Sequence, residues 1–322
     1  MSVARSLVLL ACALTATNAR ADAGTPPGLL KLATWNLEWL IAPAAFKPLK
    51  SSCIPAGAPV VANRRRLPCD VAQNLERSAR DFAVLARYAR QLDADVVSLQ
   101  EVDGPQAARL VFPDYEFCFT GRPHVQNNGF AIRAGIAYRC GPDHLPLSLG
   151  DSVRRGAELV LFPGEPREIR LLSVHLKSGC PEKPLATGDR ACRELSRQLP
   201  ALESWIDAQA RAGRQFGVLG DFNRELTTER RAGLWSRISD GKPPEAHLVN
   251  AAAGQRFRNC VPGQGYAAYI DHIVLSRTLG AALVPGTFGR VTYSAADARR
   301  AKLSDHCPVA VSVHVSQIAV GR

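Results

Sequence analysis

Several common catalytic signatures are missing from this 322-residue sequence. It has no G-x-S-x-G elbow, no Walker A loop and no H-E-x-x-H helix. Those absences argue against a serine hydrolase of the elbow type, a P-loop nucleotidase and a helix-borne zinc protease. No two cysteines are spaced C-x-x-C, which argues against a structural zinc site. There is no internal repeat, no Gly/Ser linker and no second composition regime. One large α/β domain is the economical reading. Acidic residues are scarce, 29 against 40 basic ones, for a net charge of +11. That balance favours anionic partners such as nucleic acid, phosphorylated metabolites or anionic membrane surfaces. Solubility alone is the plainer reading of the same surplus.

Past the first residues no apolar run is long enough to span a bilayer. The N-terminus has the form of a signal peptide. Arg5 supplies the positive region, Ser6 to Leu14 the apolar region, and Ala19-Arg20-Ala21 the small-x-small cleavage pattern. Cleavage after Ala21 leaves residues 22–322 as the exported, periplasmic or secreted chain. A lipoprotein signal ending at Cys12 is the rival reading, since Leu9-Leu10-Ala11-Cys12 is a passable lipobox. Eight cysteines remain once Cys12 is removed, and an even number in an exported chain suggests disulfides. Near neighbours are the cheapest guess: Cys53 with Cys69, Cys118 with Cys140, Cys180 with Cys192. Some of the eight could instead be buried inert thiols, and Cys307 is the first candidate for that.

Leu32 to Trp35 reads as a short strand. Ile41 to Asn74 follows with five prolines and no steady period, a long irregular loop of the sort that is often functional or stapled. Arg64-Arg65-Arg66 within it is either a phosphate-backbone contact or a solvated charge run. Apolar residues at helical spacing from Leu75 to Leu92 predict a helix leading into the strand Asp95 to Leu99. Leu195, Leu199, Leu202 and Ile206 predict a second, feeding the strand Phe216 to Leu219. Further strands are expected near 130–138, 157–162, 169–176, 269–275 and 308–315.

Polar residues stand where several of these strands stop. Asn36 and Glu38 follow the first, Glu101 the second, His175 ends Leu171 to Val174, and Asp221 and Asn223 follow Val218 to Gly220. Asp271 interrupts Tyr269 to Leu275, and Asp305-His306 precedes the last strand. Taken singly, each is more often a cap, a turn residue or half of an ion pair. As a set they suit metal-assisted hydrolysis. Carboxylate and amide oxygens are hard ligands for Mg²⁺ or Mn²⁺, and two histidines could divide the proton transfers.

The segments that carry these residues resemble the endonuclease/exonuclease/phosphatase superfamily. They are Leu32 to Glu38, Val97-Ser98-Leu99-Gln100-Glu101-Val102, Ser173-Val174-His175-Leu176, Leu219-Gly220-Asp221-Phe222-Asn223-Arg224, Tyr269-Ile270-Asp271-His272 and Ser304-Asp305-His306-Cys307-Pro308. They stand in the family's order and span residues 31 to 315. The resemblance implies a four-layer α/β sandwich, two mixed β-sheets face to face with helices outside, and a site at one end. It implies Glu101 as metal ligand, with Asn36, Glu38 and Asp305 in or beside the metal shell. It implies His306 paired with Asp271 as general base or phosphate ligand. Asp221 and Asn223 would orient the attacking water, and His175 would contact the phosphate or assist the leaving group. Lys177 is either a phosphate contact or a surface lysine.

His175 is similar to the pancreatic-deoxyribonuclease, sphingomyelinase and inositol-phosphatase branches, where abasic-site repair enzymes carry Asn. The carboxylate that supports this histidine in the deoxyribonuclease type has no match. His175 to Cys180 resembles uncharacterised exported bacterial members. Three functions compete. The first is a Mg²⁺-dependent exported nuclease acting on DNA or RNA, monomeric and without an obligate protein partner. The second is a phosphodiesterase or phosphatase for lipid head groups or small esters, with Ile54 to Val61 as an apolar membrane contact. The third, a non-catalytic binding protein, is disfavoured because every expected catalytic residue type is present.

Overall fold

The computed structural model describes residues 28–55, 65–227, 233–261, 264 and 268–317. The leader with Cys12, residue Arg64, and positions 56–61 of the apolar segment lie outside the described residues. The chain starts with β1 (Leu29–Leu40), α1 (Pro43–Ser51), α2 (Cys69–Asn74), α3 (Ala79–Leu92) and β2 (Val96–Val102). Next come α4 (Pro105–Arg109), β3 (Tyr115–Phe119), β4 (Asn127–Arg133), β5 (Tyr138–His144), β6 (Gly156–Leu161) and β7 (Ile169–His175). The long α5 (Arg190–Arg211) leads to β8 (Gln215–Asp221), α6 (Leu234–Ile238), β9 (Val249–Asn250) and β10 (Asp271–Leu275). Helix α7 (Arg277–Ala281), β11 (Gly289–Arg290), α8 (Ala295–Arg300) and β12 (Val309–His314) complete it.

The strands form two six-stranded mixed sheets, ordered β11-β12-β1-β2-β4-β3 and β5-β6-β7-β8-β10-β9. Adding six to each strand number of the first, and wrapping at twelve, gives the second. The two sheets therefore share one topology although the sequence shows no repeat. Each has one parallel pair, β1 with β2 and β7 with β8, among antiparallel neighbours. Parallel neighbours need a crossover, and α3 and α5 lie on those two connections. Both helices are capped by their own sequence. Ser78 and Asp81 make a reciprocal capping box at α3, and Asp189 accepts from Ala191 N (2.9 Å) at α5.

Side-chain alternation separates the layers. Leu30, Leu32, Val96 and Phe130 of the first sheet pack with Leu171, Leu219 and Ile273 of the second. On the opposite face of the first sheet, Trp35, Val97 and Leu99 meet Phe82, Leu85 and Leu92 of α3. On the opposite face of the second, Leu172, Val174 and Val218 meet Leu195, Leu199 and Leu202 of α5. This is the four-layer sandwich that the sequence implies. Among the described residues no helix is long and apolar enough to cross a membrane.

Three expectations need correction. The first strand runs to Leu40, well past Trp35, because pairing with β2 resumes at Leu40 after a bulge that begins at Asn36. The helix expected from Leu75 starts at Ala79, where the Ser78 cap sets its origin. The stretch from Ile41 to Asn74 is not irregular throughout. Pro43 at the first turn of α1 is compatible with a helix, and Phe46, Leu49, Leu67 and Ala72 form a small apolar cluster of their own.

Cys53–Cys69, Cys118–Cys140 and Cys180–Cys192 are disulfides. Cys307 is not a free thiol. It is bonded to Cys260, 47 residues away, with the two Cα atoms 5.4 Å apart. Both are almost fully buried, so burial alone could not separate an inert thiol from a bridge. Four disulfides indicate an oxidising compartment. In the unfolded, unreduced chain 22–322 no thiol should react with a thiol reagent. Two reactive thiols would mean that one bridge is open. Reduction should lower stability by about 2–4 kcal/mol per bridge in the chain-entropy picture.

Candidate active site

A parallel strand's end lies beside an antiparallel neighbour's start, so one edge of each sheet collects both kinds of residue. Asn36 and Glu101 lie near the ends of β1 and β2, and His175 and Asp221 close β7 and β8. Asp271 opens β10 opposite Asp221, and Asp305-His306 precedes β12. Asn36, His175, Asp221 and Asp271 fall on the inner faces by alternation. Glu101 would fall with Val97 and Leu99 on the helical side. A left-handed backbone (φ 59°) and a break in the β2–β4 register accompany its turn toward Asn36. Glu38, Trp39 and Asn223 are left-handed as well (φ 44°, 51° and 51°). Such conformations cost free energy in non-glycine residues and concentrate at functional sites.

Beneath this edge lies a buried polar floor. Thr34 Oγ1 donates to Gln100 Oε1 (3.1 Å), Gln100 Nε2 donates to Ser98 Oγ (2.8 Å), and the hydroxyls of Ser98 and Ser173 meet across the sheets at 2.8 Å. Above it, Asn36 Nδ2 donates to Glu101 Oε1 (3.2 Å) and Asp221 Oδ2 (3.1 Å). Glu101 Oε2 accepts from Trp39 N (3.2 Å) and Gln126 Nε2 (2.5 Å). Asp221 accepts from Asn223 N (2.7 Å) and Nδ2 (3.1 Å). His306 Nδ1 lies 2.9 and 3.0 Å from the two oxygens of Asp271, and its Nε2 lies 3.8 Å from Asp221 Oδ2. His175 Nε2 lies 3.3 Å from the same Asp221 oxygen and 3.8 Å from Glu101 Oε1. Asp305 is half-exposed at the mouth, where its N–H donates to Glu38 Oε2 (3.0 Å).

These contacts decide how the matching sequence profile is read. That profile, described as Endonuclease/Exonuclease/phosphatase family, covers residues 33–306. The chain belongs to this family. Phosphate-ester hydrolysis is the chemistry common to the three activities in that name. Among curated proteins no sequence gives a significant match. Solved structures of similar fold include the 3′ phosphatase NExo from Neisseria bound to product DNA hairpin, at 16% identity and a TM-score of 0.54. That alignment covers 88% of this chain and 98% of the other. TDP2 from Caenorhabditis elegans aligns at 15% identity and a TM-score of 0.53, over 89% of this chain and 74% of its own. An endonuclease/exonuclease/phosphatase from Bacteroides vulgatus aligns at 17% identity and a TM-score of 0.51, over 88% and 98%. At these identities the likeness is one of fold.

Charge in this family member's site is unevenly compensated. Burial, then the neighbouring Asp305, pushes the Glu38 carboxyl up to about 7. Burial pushes Asp221 up to about 7, with His306 opposing and Asp271 reinforcing the rise. Burial works against a charged His306, yet the carboxylates of Asp271 and Asp221 outweigh it and raise this imidazole. Burial, then Arg154, holds His175 well below the usual imidazole range. Crowded carboxylates that resist ionisation fit a site completed by a cation. Glu101 and Asn36, with Glu38 and Asp305 behind them, offer the hard oxygen donors that such a divalent ion takes. Asp221, Asp271 and His306 also present ligand atoms within 4.8 Å of one another. There His306 Nδ1 and both Asp271 oxygens already engage each other.

Every other residue expected at the site lies at this edge, and Lys177 stands beside it, its charge adding to burial and Arg154 in lowering the His175 imidazole. The Lys177 ammonium donates to Ser178 O (3.0 Å) and lies 3.9 Å from Glu194 of α5. Sequence reasoning missed four supports. Trp35 Nε1 and Tyr293 OH both donate to His306 O (3.2 and 2.7 Å). Gln126 holds Glu101. Arg154, fully buried, faces His175 where a supporting carboxylate was looked for, with Nε 3.1 Å from Nδ1 and Nη2 2.5 Å from Nε2. A neutral imidazole has one ring lone pair, so one of these two contacts is the hydrogen bond. The shared topology of the sheets is the signal for Arg154, which precedes β6 as His306 precedes β12. Buried Arg77 is the fourth support. It donates to the carbonyls of Glu38 (2.7 Å), Trp39 (3.3 Å), Lys302 (2.9 Å) and Leu303 (2.7 Å), tying the end of β1 to the His306 loop. Arg77→Met strips partners from buried acceptors and should cost about 3 kcal/mol. A loss of less than about 1 kcal/mol in urea unfolding would show the clamp to be dispensable.

Proposed function

We propose that this protein is an exported, Mg²⁺- or Mn²⁺-dependent phosphodiesterase that hydrolyses nucleic acid by attack of water on phosphorus. The leader 1–21 is removed, and residues 22–322 form one catalytic domain. The observation that carries the reading is Asp221, fixed by Asn36 and Asn223 between the His306–Asp271 pair and His175, beside Glu101.

Glu101 and Asn36 would hold the cation, with Glu38 and Asp305 beside them. When bound, the ion supplies Lewis-acid neutralisation of charge on the phosphoryl oxygens. Asp221 and Asn223 position the water in line with the scissile bond, and Asp221 is the nearest carboxylate to accept its proton. Asp271 takes the Nδ1 side of His306, and Nε2, on the Asp221 side, would donate to a phosphoryl oxygen. His175, on the opposite side of Asp221, contacts the phosphate near the leaving group. The basic balance of the chain favours nucleic acid as the polyanion. The lipid-head-group alternative leans on Ile54 to Val61, mostly outside the described residues. The large apolar side chains exposed among the described residues are Leu110 and Leu145.

Hydrolysis of an oligonucleotide in ¹⁸O-water should place the label on the phosphate product. Label on the alcohol would contradict attack at phosphorus. In the same buffer, kcat/KM for DNA should exceed that for sphingomyelin vesicles by at least about tenfold, a difference of 1.4 kcal/mol. The reverse order would shift the assignment to lipid.

A further inference from the structure

Beside the catalytic edge lies a pocket of about 180 Å³. That is below the roughly 300–1,000 Å³ of whole small-molecule sites and suits a subsite for one chemical group. Two lining residues reach the centre directly: Gln126 donates to Glu101, and Arg154 lies against His175.

The lining carries three cations, Arg66, Arg122 and Arg154, and the imidazole of His124, which burial and the Arg122 charge push down to about 4 and so keep neutral near pH 7. None of the three arginines makes an ion pair with a carboxylate among the described residues. Arg122 is 7% exposed. It donates one N–H to the backbone carbonyl of Asp151 (2.9 Å), while its Nε is buried without a partner. The Nε2 of His124 is buried and unpartnered as well. Burial and the nearby Arg154 charge push the Arg122 guanidinium down to about 10. Adjacent Arg155, by contrast, pairs with Asp143 (3.0 Å) and Asp151 (2.6 Å). Asp151 acts on Arg122, and Glu101 and Asp221 act on Arg154, only through space, with no carboxylate oxygen hydrogen-bonded to either guanidinium among the described residues. A buried guanidinium with an N–H left unpaired is costly, and guanidinium forks match the oxygens of a phosphate. Trp39 and Val125 add apolar surface to the lining, against which the carbon body of a substrate can lie.

We propose that this pocket is a subsite for a second phosphate of the substrate, next to the one being cut. It rests on the phosphodiesterase reading above and sharpens it. The preferred substrate carries at least two phosphates in sequence, as a nucleic-acid strand does and a choline-type lipid head group does not.

The test compares kcat/KM of the divalent-metal-loaded enzyme on the dinucleotide d(TpT), its 5′- and 3′-phosphorylated forms, and the trinucleotide d(TpTpT). At least one substrate with an added phosphate should exceed d(TpT) by about tenfold, the scale of one or two hydrogen bonds to a charged group. Arg122→Gln should bring that ratio to within about twofold of one. Arg66→Gln, at a less buried position, should also reduce it, which keeps the test valid should the Arg122 variant fold poorly. A gain confined to the end-phosphorylated dinucleotides assigns the pocket to a terminal phosphate. A gain with the trinucleotide assigns it to the neighbouring internucleotide phosphate. Equal kcat/KM on all four would overturn the subsite and leave the phosphodiesterase standing. No cleavage of any of them would overturn the reading beneath it.

Discussion

Replacing His306 with glutamine should lower kcat on a phosphodiester by about 10²–10⁴-fold, the range of a positioned acid–base group. KM should change little, because the loss falls on the transition state. The ring is fixed from three sides: Asp271 at Nδ1, Trp35 and Tyr293 at the backbone carbonyl, and Ser304 Oγ, which accepts from the backbone N–H (3.0 Å). Nε2 lies 3.8 Å from Asp221 Oδ2. Glutamine can still bond to Asp271, so the fold should survive, and thermal unfolding should confirm it. Asp271→Asn should lose most of the same factor, since it removes the anion that orients the ring. The double variant should be little worse than either single one, because residues that act as a unit are non-additive. Near-wild-type kcat in His306→Gln, or strictly multiplicative losses, would contradict the pairing.

Glu101→Ala should reduce metal-dependent turnover by at least about 10³-fold, since the ion contributes several kcal/mol of charge stabilisation. A second readout separates metal binding from chemistry. At a metal concentration about 100 times Kd, a protein that binds the ion only when folded gains about 2.7 kcal/mol. The wild type and His306→Gln should show that gain in denaturant midpoint, and Glu101→Ala should not. The geometry supports this division. Glu101 lies beside Asn36, Trp39 N and Gln126, and His306 meets Asp271 and Asp221 across the cleft. Loss of the metal effect in His306→Gln with retention in Glu101→Ala would instead place the ion at the Asp221, Asp271 and His306 group.

Much of this was legible because the site residues stand at or near strand ends, or at the bulge of β1, where period-2 patterns stop. Val309, Val311 and Val313 mark β12, and His306 comes just before it. What alternation could not show is the turn at Glu101, which depends on a left-handed backbone and a register break. Long-range partners were also out of reach. Cys260 and Cys307 are 47 residues apart, and no local pattern joins them. Arg77 in the segment before α3 clamps carbonyls at 302 and 303, where nothing in the sequence near it marks a partner. The sequence offers no carboxylate to support His175, and nothing local marks Arg154 as the residue that faces it. Lys177, two residues after His175, acts on that ring by its charge, and its half-buried ammonium lies 3.9 Å from Glu194.

The central claim is metal-dependent diester hydrolysis by the Glu101 edge of the sandwich. Its most direct test is cleavage of bis-p-nitrophenyl phosphate and plasmid DNA with Mg²⁺ or Mn²⁺, with EDTA, and with Glu101→Ala. The account predicts cutting of both substrates that EDTA abolishes and that the variant lacks. Undiminished hydrolysis in EDTA, or in folded Glu101→Ala, would contradict it.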